Sequence, residues 1–187
     1  MPLIETKRLI LRQWKESDKA PFASLNADGE VMEFLPKLLT PEESDAMADR
    51  HAKNIDNLGY GFFAVDVKDS DQFIGFVGLA DATFEAHFTP AVEIGWRLAR
   101  NAWGQGYATE AAKACLEFGF RKLKLSEIVS FTTIANKRSQ RVMQKAGMVY
   151  SGTFERTVLP EGHPLRPHVL YSITKNDWEK RLNISNR

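Results

Sequence analysis

Two glycines, Gly104 and Gly106, lie between a predicted strand that ends near Leu98 and the clearest helix pattern in the chain. Such a pair removes the side chains that would keep a ligand away from the main chain. The first N–H groups of a helix have no intrahelical partner, and the helix dipole places partial positive charge beside them. The junction therefore predicts a phosphate site, although glycines before a helix can also form a plain structural turn.

The helix that follows is amphipathic over residues 106–123. Charged residues occupy one face, and Glu117 and Arg121 have the i, i+4 spacing that adds about 0.3 kcal/mol to helix stability. The other face carries small and apolar residues, which are Ala108, Ala111, Ala112, Cys115, Leu116 and Gly119. We therefore expect this helix to pack against a sheet.

The rest of the chain predicts strands and helices that share one mixed sheet, an α/β (α+β) fold. Thr40, Pro41 and Glu43 form a capping signature that predicts a helix to about Leu58. Further helices are predicted at residues 17–25, at 136–146 and at the C-terminal end. Strands are predicted at residues 3–12, 60–67, 72–80, 91–98, 126–133, 148–157 and 166–174.

Composition restricts the class of protein. A chain of 187 residues, 43% hydrophobic and 26% charged, predicts one globular domain over residues 1–187. Its net charge of +1 supplies no field to recruit nucleic acid or a membrane, and no apolar run approaches the ~20 residues of a membrane span. The single Cys115 and the lack of a recognisable signal peptide predict a cytoplasmic setting. Four His and one Cys offer no metal-ligand spacing, so no metal is expected.

The glycine junction differs from two common phosphate-binding motifs. It lacks the Gly-Lys-Ser/Thr ending of a P-loop, and it does not form the Gly-x-Gly-x-x-Gly pattern of a dinucleotide site. Residues 103–111 instead resemble the pyrophosphate-binding motif of the GNAT superfamily of acyl-CoA-dependent N-acetyltransferases. Residues 5–12, 92–98 and 136–148 extend the resemblance, which is closest to the branch that includes the ribosomal-protein N-terminal acetyltransferases.

That resemblance implies a mostly antiparallel sheet of about seven strands flanked by helices. The strand with residues 93–98 would part from the strand with residues 128–132 and admit acetyl-CoA, the co-substrate. Main-chain groups at Trp96 and Leu98 would bind the pantetheine arm, and an N–H near Ile94 or Gly95 would polarise the thioester carbonyl. Asn136 and Ser139 match positions near the thiol. The pyrophosphate would contact Trp103, Gly104, Gln105, Gly106, Tyr107, Ala108 and Thr109.

The resemblance also implies catalytic residues. Glu93 is the leading candidate for the general base, and Ser139 is the leading candidate to protonate or stabilise the departing thiolate. Plain structural roles stay open, namely an ordinary strand glutamate and, for Asn136 and Ser139, helix capping. Many family members carry a Tyr where this chain has Met143, and a thioether cannot donate a proton. His168 and Tyr171 are secondary candidates.

Two further groups of residues are candidates for contacts in the site. Phe84 and Phe88 lie in an otherwise polar loop and mark it as a candidate lid over the acceptor. Six basic residues near the motif could meet the phosphate charges, although such residues usually only solvate a helix face. They are Arg97, Arg100, Lys137, Arg138, Arg141 and Lys145.

Together these features predict an acetyl-CoA-dependent N-acetyltransferase in which an amine attacks the thioester directly. Deprotonating an α-amine at pH 7 costs about 1 kcal/mol, against about 4 to 5 for a lysine, so a protein or peptide N-terminus is the favoured acceptor. A small amine such as an antibiotic, polyamine or amino acid is the alternative, and Met143 leaves a non-catalytic CoA-binding module open. No direct nucleic-acid or membrane partner is expected, and the protein is predicted to be a monomer or homodimer.

Overall fold

One sheet runs through the protein with helices on both of its faces. The computed structural model describes residues 3–185, and within them eight strands lie in the order β1-β2-β3-β4-β5-β6-β8-β7. The strands are β1 Ile4–Glu5, β2 Leu9–Arg12, β3 Phe62–Val67, β4 Gln72–Ala82, β5 Ala91–Leu98, β6 Glu127–Thr133, β7 Val149–Glu155 and β8 Pro167–Thr174. The α-helices are α1 Lys19–Asn26, α2 Pro41–Leu58, α3 Tyr107–Arg121, α4 Lys137–Lys145 and α5 Lys175–Ser185.

The sheet confirms the predicted fold class. In the described sheet β5 and β6 pair in parallel, and the other neighbouring strands are antiparallel. The strand count differs from seven because residues 3–12 form two strands. Thr6 makes the turn between them, since its hydroxyl accepts the N–H of Leu9 at 2.9 Å and β1 folds back on β2.

Local sequence signals account for the helix ends. The hydroxyl of Thr40 accepts the N–H of Glu43 at 3.2 Å, and the carboxylate of Glu43 accepts the N–H of Thr40 at 3.0 Å, which is the predicted capping box. Gly59 ends α2 with φ 76°, a left-handed conformation that favours glycine. The predicted bounds of α2 are therefore confirmed.

Helix α3 lies on one face of the sheet, and α1 and α2 lie on the other. A Cβ at Gly119 would come within 2.7 Å of Ile128 and 3.1 Å of Leu79, so α3 packs closely over β6 and β4. On the opposite face, His51 of α2 lies 5.1 Å from the ring of Phe62, measured between ring centroids. Of the helices within residues 3–185, none combines the length and the apolar character needed to cross a membrane.

Candidate functional site

Strands β5 and β6 start as neighbours and then part. In the described sheet one residue pair joins them in register, Glu93 with Val129. Just beyond it, the hydroxyl of Ser130 donates to the carbonyl of Ile94 at 2.9 Å. Past this point the two strands border a cleft of about 530 Å³. The parting of these strands that the family resemblance implies is confirmed.

Main-chain groups of Trp96 and Leu98 face the gap between the strands. Successive residues of a strand point their N–H and C=O groups toward opposite edges. The carbonyl of Ile94 points toward β6, because it accepts the hydrogen bond from Ser130. Trp96 and Leu98 share that edge of β5, whereas Gly95 is turned toward β4. The carbonyl of Leu98 accepts the indole N–H of Trp103 at 2.9 Å, and the other main-chain groups of this edge can pair with a ligand's amides.

The glycine junction brings main-chain amides to the same cleft. Gly104 and Gly106 have φ values of 75° and 81°, in the region that favours glycine. Gly106 is the N-cap of α3, and among residues 3–185 no side chain caps the helix there. The first-turn N–H groups are therefore available to an anion. A Cβ at Gly104 would meet no atom within 4 Å, so a ligand has room to approach.

Ten of the eleven residues predicted to bind the co-substrate line this cleft. Gln105 does not, because its side-chain amide donates to the carbonyl of Asn101 at 2.8 Å and its carbonyl accepts from Arg8 at 2.9 Å. The residues that the structure brings together are Trp96, Leu98, Trp103, Gly104, Gly106, Tyr107, Ala108, Thr109, Asn136 and Ser139. Their roles in binding stay predictions.

The β1–β2 hairpin supports the junction from behind. Nε of Arg8 donates to Oε2 of Glu110 at 2.7 Å, and the hydroxyl of Thr6 donates to Oε1 at 2.7 Å. Burial works to raise the pKa of Glu110, but these hydrogen bonds outweigh it, and the pKa is lowered. The guanidinium of Arg8 also lies 4.6 Å from the ring centroid of Tyr107. Nothing local in the sequence indicates this support, since Arg8 and Glu110 are 102 positions apart.

The first turn of α4 faces the cleft from the β6 side. Oδ1 of Asn136 accepts the N–H of Ser139 at 3.1 Å, so Asn136 caps α4 as the structural alternative predicted. The Ser139 hydroxyl has no hydrogen-bond partner among the residues described, and it is available to a ligand. Met143 also borders the cleft and is 1% exposed.

Glu93 lies where the cleft begins. Burial raises the pKa of its carboxyl to about 7, and the positive charge of Arg156 works against that increase. The guanidinium of Arg156 stacks 4.0 Å from the ring centroid of Phe84. A carboxyl that titrates near neutral pH can accept a proton from an amine at physiological pH. The sequence pattern does not indicate that Arg156 acts on Glu93. Arg156 directly follows β7, and the order of the strands in the folded sheet brings its charge near β5.

The loop before β5 is packed against the sheet. Phe84 and Phe88 lie 5.4 Å and 5.9 Å from Phe131, and both contact Phe154, with all distances taken between ring centroids. These rings belong to a second apolar cluster, separate from the main core. The candidate lid is therefore packed into this second apolar cluster near Glu93.

The two secondary catalytic candidates lie outside the cleft lining. Tyr171 is 4% exposed, and its hydroxyl accepts a hydrogen bond from Gln144 at 3.2 Å. His168 packs on Phe154, with ring centroids 5.4 Å apart. Across residues 3–185, no three His, Cys, Asp or Glu side chains cluster as metal ligands would.

The loop between α1 and α2 closes the cleft on the side away from α3. Val31, Phe34 and Leu35 of this loop line the cleft together with Phe62. Salt bridges tie the loop to the junction and to α4, because Arg100 pairs with Asp28 at 3.5 Å and Arg138 pairs with Glu33 at 2.9 Å. Of the six basic residues considered near the phosphates, those that line the cleft are Arg97, Arg138, Arg141 and Lys145.

The chain is similar to known proteins along most of its length. Residues 8–149 match the acetyltransferase (GNAT) domain. The uncharacterized N-acetyltransferase YnaD of Bacillus subtilis is 34% identical over 176 residues, which cover 94% of this chain and 98% of that protein. A GNAT-family acetyltransferase from Bacillus anthracis has a TM-score of 0.76 at 26% identity, over 92% of this chain and 98% of that one. Spermidine N-acetyltransferase from Vibrio cholerae, solved with CoA and spermine, has a TM-score of 0.72 at 19% identity, over 93% and 99% of the two chains.

Proposed function

The chain belongs to the GNAT family of acetyl-CoA-dependent N-acetyltransferases, and we propose that its acceptor is the α-amine of a peptide or protein N-terminus. The enzyme transfers an acetyl group to an amine. The observation that carries the choice of amine is the carboxyl of Glu93, which borders the cleft and has a pKa raised to about 7.

The residues that border the cleft fit acetyl-CoA as the co-substrate. The first turn of α3 has no side-chain cap among the described residues and offers main-chain N–H groups to the pyrophosphate, and Gly104 leaves that surface open. The edge of β5 at Trp96 and Leu98 would pair with the amides of the pantetheine arm. This arrangement supports a thioester held beside Ile94, at the point where β5 and β6 part.

The pKa of Glu93 favours an α-amine over a lysine side chain. An amine attacks the thioester carbonyl only in its neutral form, so its proton must leave. An α-amine titrates near 8, about one unit above Glu93, whereas a lysine titrates near 10.4, more than three units above it. A base with a pKa of about 7 therefore matches the α-amine.

The departing thiolate needs a proton donor or a hydrogen bond. Met143 has no proton to give. The hydroxyl of Ser139, which has no hydrogen-bond partner in the described part of the chain, borders the same cleft, and it can donate to the sulfur as the C–S bond breaks. Glu93 as base and Ser139 as donor are the two catalytic roles in this proposal.

A panel of matched acceptors tests the proposal. One is a lysine-free peptide with a free N-terminus, the second is the same peptide with a blocked N-terminus and one lysine, and the third is spermidine. We expect the highest kcat/KM for the first peptide, with the acetyl group located on its α-nitrogen by mass spectrometry. A higher kcat/KM for the lysine peptide or for spermidine would overturn the assignment of the acceptor.

A further inference from the structure

The guanidinium of Arg97 is partly buried beside neutral groups. Its Nη1 donates to Oδ1 of Asn26 at 2.6 Å and lies 3.7 Å from Sδ of Met47. Its central carbon lies 5.4 Å from the ring centroid of Phe76. No carboxylate in the part of the chain that the structure describes forms a salt bridge with it. A buried cation without an anion is costly, so a bound anion would stabilise Arg97.

The surroundings of Arg97 do not neutralise its charge. Burial first, and then the charge of Arg97, lower the pKa of His51 to about 4, so this neighbour is a neutral imidazole. Asn26 donates its amide N–H to the hydroxyl of Ser44 at 2.9 Å, and its oxygen is thereby directed to Arg97. Burial lowers the pKa of Arg97 to about 10. The guanidinium remains a cation in water-poor surroundings, with N–H donors to spare.

Arg97 faces the cleft from the side of α1 and α2. A Cβ at Gly95 would lie 3.1 Å from Phe62, and Arg97 lies over Phe76, so both residues point to this face. Alternation along the strand puts Glu93 on the same face. The pyrophosphate site proposed above lies at the start of α3, on the other face. Arg97 therefore belongs to the acceptor side of the cleft, contrary to the phosphate contact considered from the sequence.

The spacing along β5 sets the geometry of a bound acceptor. Glu93 and Arg97 are four residues apart, or about 13 Å between their Cα atoms. Gly95 between them has no side chain, and the ring of Phe62 packs over it, so Phe62 forms the apolar surface between the base at one end and the cation at the other. An amine served by Glu93 would thus lie several ångströms from a group held by Arg97.

We propose that Arg97 binds a carboxylate of the acceptor and that the enzyme selects peptides with an acidic side chain within their first three residues. The inference rests on the proposed function, because the α-amine is assigned there. A carboxylate would accept the guanidinium N–H groups that have no partner within residues 3–185 and would neutralise the buried charge. The apolar side chains of Val31, Phe34 and Leu35 border the same space and exclude water from the pair.

Matched peptides test this assignment in the wild-type enzyme. The parent is a lysine-free peptide with Gln at the position under test, and three derivatives carry one Gln→Glu change at residue 1, 2 or 3. We expect at least one Glu peptide to exceed its Gln partner in kcat/KM by about 10- to 100-fold, the range for a hydrogen bond to a charged group. If kcat/KM is equal for the Glu and Gln peptides at all three positions, the wild-type enzyme alone overturns the proposal.

Arg97→Gln then identifies the residue responsible. Gln retains an N–H donor for Asn26 but has no charge. We expect the ratio of kcat/KM between the Glu and Gln peptides to fall to within about threefold in Arg97→Gln, and Arg97→Lys to keep part of the preference. If Arg97 has a structural role alone, kcat/KM should fall equally for both peptides. If the variant loses affinity for acetyl-CoA, Arg97 contacts the co-substrate instead. Either result would overturn the proposal.

The two proposals can fail separately. If peptides with free N-termini are acetylated but Glu and Gln peptides react equally, the α-amine assignment stands and the role of Arg97 falls. If the enzyme instead prefers a small amine, the proposed function falls. The role of Arg97 is then tested by comparing an ω-amino acid with its amide in the wild type and in Arg97→Gln, and equal ratios would overturn it.

Discussion

Arg8 and Glu110 form a salt bridge at 2.7 Å that joins the β1–β2 hairpin to the first turn of α3. A carboxylate in this turn also interacts favourably with the positive end of the helix dipole. The same guanidinium donates to the carbonyl of Gln105, within the glycine junction. The hairpin thus holds the main chain from which the amides of the proposed pyrophosphate site project.

Replacing Arg8 should weaken acetyl-CoA binding, because the glycine junction loses the support of the hairpin. We expect Arg8→Met to raise the Kd for acetyl-CoA about 3- to 10-fold and to lower the free energy of unfolding by about 1 kcal/mol, because the carboxylate of Glu110 and the carbonyl of Gln105 lose a donor. Calorimetric titration and denaturant unfolding measure the two effects. Lys180→Met, in an exposed pair of α5, is the control and should change neither. An unchanged Kd in a folded Arg8→Met variant would contradict the supporting role.

Gly106 should be essential for binding because of its conformation and its position. We expect Gly106→Val to raise the Kd for acetyl-CoA at least about 10-fold, since a β-branched residue strains a φ of 81° and crowds the guanidinium of Arg8, whose Nη2 would lie 3.5 Å from the new Cβ. Gly152→Val is the matched control, because Gly152 also has a positive φ of 121° but lies in β7. That variant should lose stability and keep its affinity. Equal losses of acetyl-CoA affinity in the two variants would show that the pyrophosphate does not bind at the glycine junction.

Glu93 should determine the pH dependence of turnover. The carboxyl accepts a proton only when it is ionised, so kcat/KM of the wild type should rise with pH through about 7 and then level off. Glu93→Gln should lower kcat/KM about 100-fold and abolish that rise, with acetyl-CoA affinity retained. A variant that keeps the wild-type pH profile would exclude Glu93 as the base.

Arg156 should hold the pKa of Glu93 down. Its positive charge favours the ionised carboxylate, so in Arg156→Met the pKa should rise above about 7. A higher pKa leaves less ionised base at low pH. We therefore expect kcat/KM to fall about 3- to 10-fold at pH 6 and to match the wild type at pH 9. Arg156→Lys keeps the charge and should keep the profile; if the profiles of Arg156→Met and the wild type coincide, the two residues are not coupled.

Ser139 and Asn136 should have separable effects. Ser139→Ala removes the proposed donor to the thiolate, and kcat should fall about 10-fold with little change in acetyl-CoA affinity. Ser139→Thr keeps a hydroxyl and should retain most of the activity. Asn136→Ala removes a helix cap, so we expect a loss of about 1 kcal/mol in the free energy of unfolding. If Ser139→Ala keeps the full kcat, the donor to the departing thiolate is another group or water.

Local chemistry made much of the fold predictable. The capping box of Thr40 and Glu43 and the left-handed Gly59 depend on neighbours in sequence, and the structure has α2 and β5 at the predicted residues. The same holds for the glycine junction and the helix after it. Residues 3–12 were predicted as one strand, because the apolar pattern on both sides of Thr6 hides the turn that its hydroxyl makes.

The sequence by itself determined where main-chain amides are exposed and which helix presents them, since glycine conformation and helix periodicity are local properties. Only the tertiary structure decided the surroundings of the charges: Arg8 beside Glu110, Arg156 beside Glu93, and Arg97 beside the amide of Asn26. These pairings depend on strand order and on which helices cover each face. The pKa of Glu93 depends on the burial that this arrangement produces, and that burial cannot be predicted from residue type and spacing.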